Sequence, residues 1–214
     1  TDVRGWALRK LLKRPRDFGL TLLCAHFCMI ASQYPFAVAE YSRAHRLAPF
    51  DPGPALCTAT AYISFAMSRA AARRHDLVLK GLTFLQRYRR LRLRSAGMVP
   101  TNDEDPVESW GGLPAERQDW EDNVSDHPLD CLAIRAEVAY NYGRAFHQLS
   151  MFHFAVEAYQ TALGCFDGMS LEESQRADLL VLRRSAAYNL AYLFKAQGAL
   201  NLAADVLWHH VVFG

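Results

Sequence analysis

Residues 139–163 read AYNYGRAFHQLSMFHFAVEAYQTAL, and the fold is decided by this stretch. Small or aromatic side chains recur at Gly143, Phe146, Ala155, Tyr159 and Ala162. Their spacing puts the first two on one face of a helix and the last three on one face of a second helix. Two antiparallel helices approach closely only where small residues meet at the crossing and a ring fills the gap beside them. The opening Ala-Tyr-Asn-Tyr-Gly at 139–143 returns as Ala-Tyr-Asn-Leu-Ala at 187–191, where Leu190, Ala191, Phe194, Gly198 and Ala203 take the corresponding places.

Working outward, Pro15 and Pro49 lie 34 residues apart, each closing a helical stretch. Between them Ala25, Ala37, Tyr41 and Ala44 fall where the tetratricopeptide template wants small, small, aromatic and small. In the third repeat Asp167 stands where that template usually has proline. The second repeat keeps Ala59 and Tyr62, then departs: its first helix is expected to run on through Ala70 to Ala72, and its second to open near Asp76 as N-cap, with Gly81 and Leu85 as packing positions. Residues 1–14, with Trp6, Leu8, Leu11 and Leu12, read as the second helix of an earlier repeat, so the chain is expected to be part of a longer protein. No alternating apolar run is bounded by hairpin dipeptides. The expected fold is all-α, a right-handed tetratricopeptide superhelix of antiparallel helix pairs with one long acidic insert.

The composition agrees with a packed protein: 51% of the 214 residues are apolar, which excludes disorder as the dominant state. The net charge of +2 conceals three blocks. Residues 1–94 carry 17 basic and 5 acidic side chains, residues 95–128 carry 1 and 9, and residues 129–214 carry 6 and 8. The expected organisation follows these blocks: basic repeats at 1–94, an acidic insert at 95–128, and two further repeats at 129–214. By composition the insert is expected to be disordered, yet Trp110, Leu113 and Trp120 suit docking on a basic surface or on the chain's own groove. Lys80, Arg87, Arg90 and Arg94 share a helix face and form such a surface, which would meet either the insert or the phosphates of a nucleic acid. Arg89 and Arg92 are expected to point elsewhere.

In such an array the first helix of each pair lines the concave side. The groove positions are Glu137, Tyr140, Asn141, Arg144, His147 and Gln148 in the third repeat, and Ser185, Tyr188, Asn189, Tyr192 and Lys195 in the fourth. A side-chain amide both donates and accepts, so Asn141 and Asn189 would hold an extended peptide backbone. Either asparagine equally suits bridging neighbouring repeats, and Tyr140 and Tyr188 suit half-buried packing.

Chemistry beyond binding has no constellation to carry it. None of the eight histidines forms an i, i+4 pair with another, and no HExxH, phosphate loop, nucleophile elbow or paired-carboxylate motif occurs. Cys24 and Cys28 lie one turn apart among apolar residues, short of a ligand set for zinc. Five cysteines without CxxC spacing suit a reducing, intracellular compartment. The weakly polar run at 18–31 falls short of the roughly 20 residues of a membrane span. Neither an enzyme, nor a cofactor, nor a metal, nor a membrane partner is expected.

One stretch goes beyond generic repeat character: RRHDLVLKGLTFLQRYRRL at 73–91, followed after the insert by YNYGRAFHQLSMFHFAVEAYQTAL at 140–163. Together with 6–52 and 183–213, these segments resemble the C-terminal tetratricopeptide region of the large repeat subunit of transcription factor IIIC, which serves RNA polymerase III. The resemblance implies a nuclear, non-catalytic scaffold that holds other subunits of the factor and, mainly through upstream repeats, helps recruit TFIIIB. A direct DNA contact through the basic helix, or a peptide-binding adaptor of another complex, is the alternative. The acidic insert lies outside the resemblance.

Overall fold

The computed structural model describes residues 3–95, 97–98, 128–167, 169 and 176–212, and every regular element among them is helical. The acidic insert is therefore described only at Ser95, Gly97, Met98 and Pro128; Trp110, Leu113 and Trp120 lie outside the described residues. The chain divides into two compact units, residues 1–91 and 92–214.

The first unit holds α1 (Val3–Lys13), α2 (Phe18–Ile30), α3 (Tyr34–Leu47), α4 (Pro52–Met67) and the larger part of α5 (Arg74–Ser95). Helices adjacent in sequence pack on each other: α1 on α2, α2 on α3, α3 on α4. Asp17 caps α2 by accepting from the Leu20 amide at 2.9 Å, and Asp51 caps α4 by accepting from the Gly53 amide at 2.8 Å. The core between α2, α3 and α4 is made of Ala25, Cys28, Ala37, Tyr41 and Ala61, as the small-and-aromatic pattern requires. Gly81 of α5 lies so near α4 that a β-carbon there would sit 2.8 Å from Ile63 Cγ1, and Phe84 of α5 stacks on Tyr62 at 5.8 Å.

Two expectations for this unit are corrected. α4 stops at Met67 rather than running on to Ala72, because Ser68 turns its hydroxyl back onto the Phe65 carbonyl at 2.7 Å and leaves the helix in an extended conformation. α5 starts at Arg74, so Asp76 sits in its first turn, where a carboxylate favours the helix dipole, and is not its cap.

The second unit holds the end of α5, then α6 (Pro128–Gln148), α7 (Phe152–Asp167), α8 (Ala177–Ala196), α9 (Leu200–Leu207) and a π-helical turn at Trp208–Val212. α6 packs on α7, α7 on α8, and α8 on both α9 and α6. Its core is Ala139, Ala155, Tyr159, Ala162, Ala186, Ala187 and Leu190 with their neighbours.

The repetition is visible in the backbone as well as in the packing. Ser32, Ser150 and Gly198 each stand two residues beyond a first helix with φ of 55°, 60° and 81°. In each case the next amide reaches back five residues: Gln33 to Cys28 at 2.8 Å, Met151 to Phe146 at 2.9 Å, Ala199 to Phe194 at 2.9 Å. This is the long-range bond of the Schellman helix end, made three times at equivalent positions. Gly198, expected as a packing position, is instead the left-handed residue of this turn, with open space where a side chain would go. No helix among the described residues is long and apolar enough to cross a membrane.

Candidate protein-binding face

α6 and α8 are the first helices of consecutive pairs, and they lie against each other. Residues three or four apart on each helix fall in one stripe. On α6 the stripe runs through Ile134, Glu137, Tyr140, Arg144 and His147; on α8 it runs through Val181, Ser185, Tyr188, Tyr192 and Lys195. His147 and Tyr192 bring the two stripes together, with ring centroids 6.0 Å apart.

The aromatic end of this face is open. Tyr188 is 56% and Tyr192 63% exposed, and Arg144, Gln148 and Lys195 are exposed beside them. The Arg144 guanidinium lies 5.8 Å over the Tyr140 ring, which also meets the Tyr159 ring with centroids 6.1 Å apart. Burial pushes the His147 imidazole below its ordinary range, so at neutral pH it offers the face an uncharged ring.

The asparagines sit deeper. Asn141 is 9% exposed, and Asn189 is half-buried with its side chain turned toward the Tyr159 hydroxyl, stopping short of hydrogen-bond geometry. The same burial raises Tyr159 well above the usual tyrosine range. The exposed aromatics therefore present most of the contact area, with the amides behind them.

At its other end the face deepens into a cleft of about 900 Å³ walled by Ile134, Glu137, Tyr140, Leu179, Val181 and Leu182, with Arg92 and Arg176 at its edge. Arg92, which helical spacing sets off the face of Lys80, Arg87, Arg90 and Arg94, donates from Nε at 2.9 Å and Nη2 at 2.8 Å to Glu137 Oε2, tying the end of α5 to α6. Sequence reasoning missed this cleft: its walls come from three helices that no local spacing relates. Of the basic helix, Lys80 and Arg87 are exposed while Arg90 and Arg94 are half-buried. Among the described residues no group of three or more His, Cys, Asp or Glu is placed to hold a metal ion.

No protein-family model matches the chain. It is 28% identical over 209 residues to general transcription factor 3C polypeptide 3 of Homo sapiens, an alignment that covers 97% of this chain and 19% of the relative. It is 27% identical over 199 residues to transcription factor tau subunit sfc4 of Schizosaccharomyces pombe, covering 91% and 16%. To the transcription factor tau 131 kDa subunit of Saccharomyces cerevisiae it is 25% identical over 159 residues, covering 74% and 11%. The chain thus spans less than a fifth of the length of these relatives.

Proposed function

We propose, on the premise that this chain resembles the large repeat subunit of transcription factor IIIC along most of its length, that it is a tetratricopeptide scaffold segment binding another subunit of that factor. Its place would be the nucleus, in initiation by RNA polymerase III. The observation that carries the reading is the open aromatic face of α6 and α8: two tyrosines more than half exposed, Tyr192 against His147, with Arg144 and Lys195 exposed on the same stripes. Tyrosines on rigid helices give a partner large contact area at small entropic cost, which is why such residues dominate binding energy at interfaces. Asn189 is half-buried and Asn141 buried, both less exposed than the two tyrosines, and Gln148 extends the rim. Contact with TFIIIB, indirectly or through upstream repeats, belongs to the same proposal.

The test is capture of the other factor subunits by the parent chain and by a Tyr188→Ala/Tyr192→Ala variant. Loss of capture by a variant whose helical circular dichroism is unchanged supports the reading. Equal capture moves the interface off this face. Asn141→Ala and Asn189→Ala make a poorer test taken alone, because both amides lie against the core.

A further inference from the structure

The face on α6 and α8 changes character along its length. Its cleft end is apolar at the walls, with Ile134, Leu179, Val181 and Leu182 around an opening in which Val181 is 65% exposed. The charges at that end already have partners: Arg92 pairs with Glu137 at 2.8 Å and Arg176 with Asp178 at 3.2 Å. The aromatic end is cationic without local compensation in sequence: residues 138–148 of α6 and 179–196 of α8 contain no aspartate or glutamate, while Arg144 and Lys195 are exposed there.

We infer that this face takes an extended acidic peptide, with one apolar side chain in the cleft and, four to six residues along, carboxylates over Arg144 and Lys195. The inference rests on the protein-binding reading above and adds the chemistry of the partner. The spacing follows from helix geometry. Ile134 and Arg144 are some ten residues apart on α6, a rise of about 15 Å, and Leu182 and Lys195 some thirteen apart on α8, about 20 Å. An extended chain covers about 3.3 Å per residue, so those distances correspond to roughly four to six peptide residues. On α8, Tyr188 and Tyr192 lie between Leu182 of the cleft and Lys195 and supply the floor over which the linking residues run. Carboxylates are chosen over phosphates of a nucleic acid because the two stripes offer Arg144 and Lys195 as exposed cations at one end, with Arg92 and Arg176 already paired at the other, and not the run of cations that tracks a polyanionic backbone.

The experiment is selection of displayed random 12-residue peptides on the intact chain, followed by fluorescence anisotropy with the most enriched peptide. The enriched sequences are expected to carry two acidic residues four to six positions from Leu, Ile or Phe. Affinity for that peptide should fall about tenfold or more on Arg144→Glu/Lys195→Glu, and again on Val181→Asp, whose exposed position leaves the core intact. No enrichment, enrichment without acids, or affinity untouched by these variants overturns the inference. The same selection on a chain lacking residues 99–127 separates an outside partner from the chain's own acidic segment: equal enrichment supports the outside partner, and enrichment only after the deletion overturns it. Subunit capture lost on Tyr188→Ala/Tyr192→Ala, with no acidic preference in the selection, leaves the protein-binding reading standing while this inference falls.

Discussion

Gly143 of α6 lies against the ring of Tyr159 of α7 so closely that a β-carbon at residue 143 would sit 2.6 Å from both Cδ1 and Cε1. Tyr159 is fully buried, so its ring has nowhere to move. This contact sets how near the two helices of the pair approach, and it joins the α6 stripe to the core beneath it.

Gly143→Ala is therefore expected to destabilise the second unit by about 1–2 kcal/mol, the overpacking cost exceeding the helix-propensity gain of about 1 kcal/mol. Gly164, in the same unit, has nothing among the described residues within 4 Å of a would-be β-carbon. Gly164→Ala should leave stability unchanged or raise it by up to about 1 kcal/mol. Urea titrations of the two variants check the pair, and equal effects would show that the Tyr159 contact does not limit the approach.

Ser150 holds the left-handed turn position that glycine holds at 198. Ser150→Gly removes the strain of a β-carbon at φ 60° and is expected to stabilise by about 0.5–1 kcal/mol, partly offset by the freedom gained in the unfolded chain. Thermal unfolding reads this directly, and a lower melting temperature would contradict it.

His45 of α3 is 6% exposed, and neither ring nitrogen meets a hydrogen-bond partner among the described residues. It packs edge-on to Phe84 of α5 at 5.7 Å. Burial, with the Arg87 charge adding to it and Asp51 opposing it, pushes its imidazole below the ordinary range. The folded state thus binds the proton more weakly than the unfolded chain, whose imidazole titrates near 6.5. Stability should be full above that pH and fall as the pH drops toward the folded-state value. His45→Leu should flatten this decline, with His147 and His210, also pushed down by burial, accounting for the rest. Urea midpoints between pH 7.5 and 5 measure the difference, and identical slopes for parent and variant would refute it.

Arg92 and Glu137 are each about one-third exposed, with side-chain accessibilities of 31% and 33%, so solvent screens the pair. A double-mutant cycle on Arg92→Ala and Glu137→Ala should give a coupling of about 0.5–1 kcal/mol that shrinks at high salt. A coupling that grows with salt would rule out a charge interaction.

The parts of the fold legible in sequence are those where packing tolerates few residue types. Ala25, Ala37, Tyr41, Ala155 and Tyr159 had to be small or flat because helices cross there, and all are buried. The end of α4 was not legible: Ala70 to Ala72 favour a helix, but the Ser68 hydroxyl competes for the Phe65 carbonyl and the chain turns away. At the face, spacing placed Arg144, Tyr188, Tyr192 and Lys195 on common stripes, because that depends only on helical period. It could not give the depth of Asn141, which depends on a neighbouring helix, nor pair Arg92 with Glu137 across 45 residues of chain.

The central claim is that the α6 and α8 face meets another subunit of the factor. A photo-crosslinking residue in place of Tyr188, in the assembled factor, tests it most directly, with the same residue at exposed Gln160 of α7 as comparison. An adduct between position 188 and another subunit is expected. Adducts from position 160 alone, with none from 188, would contradict it.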